Sequence, residues 1–153
     1  MFLFIDVLRC YKYLYPLAKK FNEYVAMDTD GSLSLFSFKD LAPSYNPNAP
    51  YEYFPDQHSL LIGRSIVGDG TFRSPVYKGN GDWEVIYVKP EHIMLKNGTW
   101  CLSVRNELLM VKERALILSG CTGDSSQVFY VHDDRYLPRP SHRKIAQVLG
   151  AAF

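Results

Sequence analysis

Two carboxylates two residues apart, Asp28 and Asp30, sit in the stretch Glu23 to Phe38, EYVAMDTDGSLSLFSF. Such a pair at the end of an apolar strand can divide nucleophilic and acid–base work, provided a cation offsets its charge. The same residues have a second use. Aspartate side chains accept hydrogen bonds from backbone amides two residues on, and Gly31 takes a positive φ without steric cost. Tyr24 to Met27 and Leu33 to Phe38 flank this Asp/Gly connection as apolar, aromatic runs, so a β-hairpin is expected over about residues 24–38. The aspartates are assigned to the turn and no residue is named catalytic; Asp28 and Asp30 stand as the alternative catalytic pair.

Other residues with chemical potential are scattered. Arg135, Tyr136, Arg139, His142, Arg143 and Lys144 lie in RYLPRPSHRK, the most basic segment, which holds no acid. Basic side chains beside an aromatic ring suit an acidic protein partner or nucleic acid, and these six are the candidate partner-binding residues. Lys12, Lys19 and Lys20, with Arg9, make a second basic run. His58, His92, His132 and His142 lack the spacing of paired metal ligands. Cys10, Cys101 and Cys121 are odd in number and form no CxxC, so reduced, buried thiols are expected. There is no GxSxG elbow, GxxxxGK[ST] loop or GxGxxG turn. No metal and no cofactor is expected.

The elements that must position these residues follow from pattern and punctuation. With 153 residues, 47% hydrophobic and 22% charged, the chain suits one domain over 1–153 with a sizeable core. A formal net charge of +1 sets up no global field toward nucleic acid or membrane. Residues 6–22 carry apolar side chains at three- and four-residue spacing after Asp6 and predict a helix that Pro16 kinks or restarts. Residues 39–55, KDLAPSYNPNAPYEYFP, carry four prolines and predict a long irregular loop anchored by Tyr45, Tyr51, Tyr53 and Phe54. Ser59 to Val67 reads as one strand, and Trp83 to Lys89 as an alternating strand that Pro90 ends. Asn97-Gly98 marks a hairpin over about 92–104, and Gly120 to Ser126 a third over about 115–132. Asn106 to Arg114 reads as helix or strand edge, and Ser141 caps a terminal helix. The fold class expected is α+β: a mainly antiparallel sheet built from hairpins, with helices near both termini. Segments 29–43 and 122–138 share turn, serine, aromatic strand, acid and proline, in the manner of an internal repeat.

Two resemblances attach to the first hairpin. YVAMDTDGSL resembles the first motif of the haloacid-dehalogenase phosphatases, with Leu116-Ile117-Leu118-Ser119 similar to the second and Val131-His132-Asp133-Asp134 to the acidic fourth. That resemblance implies Asp28 as nucleophile, Asp30 as general acid/base, a magnesium ion and a parallel sheet of βα units. Residues 31–105, however, read as strands and turns. Residues 13–43, LYPLAKKFNEYVAMDTDGSLSLFSFKDLAP from Leu14 onward, are similar to a short module of small accessory proteins of tailed bacteriophages. This second resemblance implies a phage origin and action on a host component.

The leading expectation is therefore a non-enzymatic phage accessory protein that binds a host protein, in the host cytoplasm. A magnesium-dependent phosphatase using Asp28 and Asp30, and a nucleic-acid-binding module using the basic 135–144 segment, are the alternatives. The apolar start MFLFIDVLRC is broken by Asp6 and is expected to be neither a signal peptide nor a membrane span.

Overall fold

The structure, a computed structural model, describes residues 11–105 and 116–133. Eleven strands and four 3-10 turns make up its regular structure: β1 (Tyr13–Pro16), β2 (Glu23–Met27), β3 (Leu33–Ser37), β4 (Tyr51–Phe54), β5 (Ser59–Ile62), β6 (Ser65–Ile66), β7 (Trp83–Lys89), β8 (His92–Asn97), β9 (Trp100–Val104), β10 (Leu116–Gly120) and β11 (Phe129–His132). All strand pairs are antiparallel. Among the described residues there is no α-helix, which corrects the α+β expectation.

The predicted helix over 6–22 is the clearest error. From Tyr13 to Pro16 the chain is a strand with every side chain buried, and Leu17–Lys19 is a 3-10 turn. Three consecutive buried apolar residues need walls on both faces of an extended chain, and spacing alone does not tell that from one apolar helix stripe. Pro16 brings no amide hydrogen, and Lys20 and Phe21 both hold positive φ, +48° and +66°, which ends any helical continuation. Residues 6–10, the 106–114 segment and the terminal helix after Ser141 lie outside the described residues.

Two hairpins stand as expected. β2 and β3 pair in the register Tyr24↔Phe36, Val25↔Leu35, Met27↔Leu33. β8 and β9 turn at Asn97-Gly98, with Gly98 at φ +62°. The third expected hairpin, 115–132, does not form. β10 pairs with β9, from Leu116↔Val104 to Gly120↔Trp100, whereas β11 pairs with β1 and β8. Local turn residues mark the break in the chain but not the distant partner that its next strand will find.

Two further expectations change. The run 59–67 is two strands, folded back at Gly63 and Arg64 with φ +60° and +69°. A Cβ at Gly63 would lie 2.3 Å from the Asn48 backbone, so this close approach admits only glycine. Within the proline-rich 39–55 segment a 3-10 turn at Pro43–Tyr45 is followed by β4, paired to β5. Tyr51 and Tyr53 pack on the core as expected, while Tyr45 and Phe54 are exposed.

One unit recurs three times. A strand ends at or just before a proline, a residue in the left-handed region follows, a second strand runs to a glycine with positive φ, and a third strand returns. The markers are Pro16, Lys20 and Gly31; Pro55, His58 and Gly63; Pro90, Glu91 and Gly98. These units share a core to which Leu14, Leu60, Trp83, Leu95, Leu102 and Phe129 contribute, each fully buried. Trp83 is its polar pin. Its Nε1–H is shared between the carbonyls of Val67 and Gly68, both at 3.1 Å, and its own carbonyl accepts the Tyr53 hydroxyl at 2.8 Å. A second, aromatic cluster holds Tyr13, Tyr15, Tyr24 and Phe38.

Candidate functional site

Asp28 and Asp30 turn back on their own backbone. Asp28 Oδ1 accepts the Thr29 amide at 2.7 Å, and its own amide donates to the Ser32 carbonyl at 2.7 Å. Asp30 Oδ1 accepts the Ser32 amide at 2.9 Å and the Ser32 hydroxyl at 2.6 Å. The Gly31 amide closes on the Asp28 carbonyl at 2.9 Å. The strand leading into this turn pairs antiparallel with the strand leaving it, not in the parallel βα arrangement that the phosphatase resemblance implies.

The groups that the fold does gather lie elsewhere, at the corner where β8 meets β11. Tyr130 stands opposite His92 in the ladder, and their rings meet edge to face at 4.6 Å. His132, two residues along and therefore on the same face of β11, has its ring 5.2 Å from Tyr130. Phe21 completes the ring set with an edge contact to Tyr130 at 5.3 Å.

Glu91 ties these rings together. It forms the two-residue turn between β7 and β8 with Pro90, at φ +66°, a region disfavoured for a side chain of this kind. Its carbonyl accepts the Val131 amide at 2.8 Å, and its Oε2 lies 3.1 Å from His132 Nδ1. Burial raises the Tyr130 pKa above the ordinary tyrosine value, and the hydrogen bond to Glu91 and that carboxylate's charge raise it further. His92 Nδ1 lies 3.0 Å from the Pro90 carbonyl, a partner that only accepts, so Nδ1 carries a hydrogen and donates it. Phe21 and Glu91 bring two left-handed backbone positions into contact with one tyrosine, and such strain tends to collect at functional corners.

A second polar knot is structural. Asp69 Oδ1 accepts the Asp82 amide at 2.9 Å and Asn97 Nδ2 at 2.8 Å. These two bonds, the backbone one first, lower the Asp69 pKa. Asn97 also takes the Gly70 amide at 3.1 Å and donates to the Asp82 carbonyl at 3.0 Å. His58 pairs with Asp82 at 2.8 Å on the exposed side. Together these bonds sew the glycine-rich loops on either side of residues 71–77 to the end of β8. Among the described residues no three His, Cys, Asp or Glu side chains form a group suited to a metal ion.

The sulfurs correct the expectation of three reduced thiols. Cys101, fully buried on β9, and Cys121, exposed just past β10, form a disulfide with Cα atoms 5.1 Å apart. Beside it the buried Gln127 binds the loop it closes. Its Oε1 accepts the amides of Thr122 at 2.8 Å and Gly123 at 3.0 Å, and its Nε2 donates to the Gly120 carbonyl at 2.6 Å and to the hydroxyl of Ser103 at 3.0 Å.

Of the residues singled out in the sequence, Arg135, Tyr136, Arg139, His142, Arg143 and Lys144 lie outside the described residues. The histidines do not act as a set: His92 and His132 meet around Tyr130, and His58 sits at the Asp69 knot. Glu91 and Tyr130 were missed. The usable signals were the alternation Tyr130-Val131-His132, which puts a phenol and an imidazole on one face, and the Pro90-Glu91 turn between two strong strands.

No family model matches the sequence, and no curated protein matches it. Among solved structures the chain is similar to a designed 3-fold symmetric protein, ThreeFoil, with TM-score 0.62 and 13% identity, over 82% of this chain and 99% of that one. At that identity the likeness shows the fold alone: a β-trefoil-like arrangement, in agreement with the thrice-repeated strand–proline–strand–glycine unit. No helix among the described residues is long and apolar enough to cross a membrane.

Proposed function

We propose that the chain is a non-enzymatic interaction protein of phage origin that binds a host protein in the host cytoplasm, through the corner built on Tyr130. The observation that carries this reading is the state of that corner. A phenol, two imidazoles and a carboxylate are grouped on two paired strands and the positive-φ turn at Glu91 that joins them to β7. Groups set this way offer ring faces, donors and acceptors to a partner. The aspartate pair supports the same reading, because both carboxylates accept hydrogen bonds within their own turn. Phage origin and host setting draw their support from the module at residues 13–43. Arg139 and Arg143, on the chain that follows β11 in sequence, supply the basic part of the proposed contact.

Affinity capture from a bacterial lysate tests the reading. The wild-type chain should retain one discrete host protein. His92→Ala/His132→Ala and, separately, Arg139→Glu/Arg143→Glu should reduce that capture about tenfold, worth roughly 1.4 kcal/mol, with the melting temperature unchanged in the arginine variant. Equal capture by wild type and both variants would sink it. Magnesium-dependent phosphoester hydrolysis that vanishes in Asp28→Asn would favour the phosphatase alternative instead.

A further inference from the structure

The Cys101–Cys121 disulfide joins two positions that the sheet already holds together. Ser119 pairs with Cys101 and Gly120 with Trp100, so the β9–β10 ladder fixes Cys101 against the residues just before Cys121. A crosslink placed there adds little to the topology of the sheet and acts instead on what lies beyond Gly120. That segment, 120–127, leads through the buried Val128 into β11, the strand carrying Tyr130 and His132. Its other holds are polar: the Gln127 carboxamide on the amides of Thr122 and Gly123, and the Asp124 carboxylate on the Ser126 amide at 3.0 Å. Cys101 is fully buried and Cys121 exposed, so an incoming thiolate can reach one sulfur of the pair and not the other.

The geometry points to a redox-operated latch: reduction of Cys101–Cys121 by a dithiol unlatches the 120–127 connection while the three-unit core stays folded. The chemistry is ordinary exchange. A thiolate of the dithiol attacks the exposed Cys121 Sγ, the S–S bond breaks, and Cys101 leaves as a thiolate that takes up a proton. The dithiol's second thiolate then attacks the mixed disulfide, releasing Cys121 as a thiol and leaving the reductant as a disulfide. Two electrons and two protons pass from the dithiol to the protein. This inference does not depend on the partner-binding reading, since it concerns the loop alone.

Amide hydrogen exchange on the full chain, followed by NMR, tests it, with Cys10→Ser in every sample so that only this pair reports. In dithiothreitol, exchange at the Thr122 and Gly123 amides should accelerate about tenfold or more, while amides in the β2–β3 ladder stay within about twofold. Cys101→Ala/Cys121→Ala should reproduce the reduced pattern without any reagent. In a second arm the oxidised protein is equilibrated with a glutathione buffer poised as in a reducing cytoplasm, where the pair should open. Three results overturn the latch: a pair that stays oxidised in that buffer, unchanged exchange at Thr122 and Gly123, or acceleration across all ladders alike. Failure of the double variant to fold counts with the last, since it would make the disulfide a staple of the whole domain.

Discussion

The 28–32 turn and the Tyr130 corner both hold acidic side chains at positive-φ turns, yet they are built in opposite ways. In the turn every hydrogen bond quoted above spans at most four residues, from Thr29 on Asp28 to Asp28 on Ser32. In the corner Glu91 and His132 are 41 residues apart, and Phe21 comes from a third stretch of chain. The first arrangement is a property of the local sequence and can form wherever two strands need joining. The second exists only when β1, β8 and β11 are side by side. Carboxylates engaged locally bend a backbone; carboxylates engaged across the sheet hold side chains in a fixed relation, which is what a recognition surface requires.

That contrast is open to measurement. Tyr130→Ala removes ring contacts to Phe21, His92 and His132 along with the Glu91 bond, and should lower stability by about 3 kcal/mol in urea unfolding. A loss below about 1 kcal/mol would mean that the corner is an assemblage of independent surface groups. Asp30→Ala should cost about 1–2 kcal/mol, the value of a capping carboxylate, and leave host-protein capture intact. Loss of capture in that variant would move the functional surface to the turn. The smallest effect is expected on acidification. Asp69 is held below its ordinary value of 3.8, so its bonds to Asp82 and Asn97 contribute fully at higher pH. Their contribution is lost as pH falls below about 4 toward the lower folded value. Asp69→Asn should therefore flatten the acid limb of the stability–pH curve, measured by thermal unfolding; an unchanged limb would assign acid sensitivity elsewhere.

Much of the local architecture was legible. Asp28-Thr29-Asp30-Gly31 specifies its turn through side-chain acceptors and the Gly31 φ, Asn97-Gly98 through the Gly98 φ, and both hairpins formed where expected. Trp83 to Lys89 alternates and ends at Pro90 as read. The recurrent unit was also written in the chain, as Pro16, Pro55 and Pro90 each followed by a strand and a glycine. The turn and strand composition shared by 29–43 and 122–138 is a different pattern, because the recurrent unit is defined by the order of strand, proline and glycine. The Tyr13–Pro16 strand was illegible for a different reason. Its buried aromatics fit a helix stripe as well as a doubly covered strand, and only the neighbours decide.

By itself, then, the sequence determined what depends on a few consecutive residues: where the chain turns, which strands pair across short connections, and how Asp28 and Asp30 are occupied. Tertiary structure alone decided that β11 closes onto β1 and β8, that Cys101 meets Cys121, and that Glu91 gathers Tyr130 and His132. Those outcomes depend on which distant strands lie next to each other. That is settled by burial of a shared core around Trp83, a collective quantity that no short window of sequence contains.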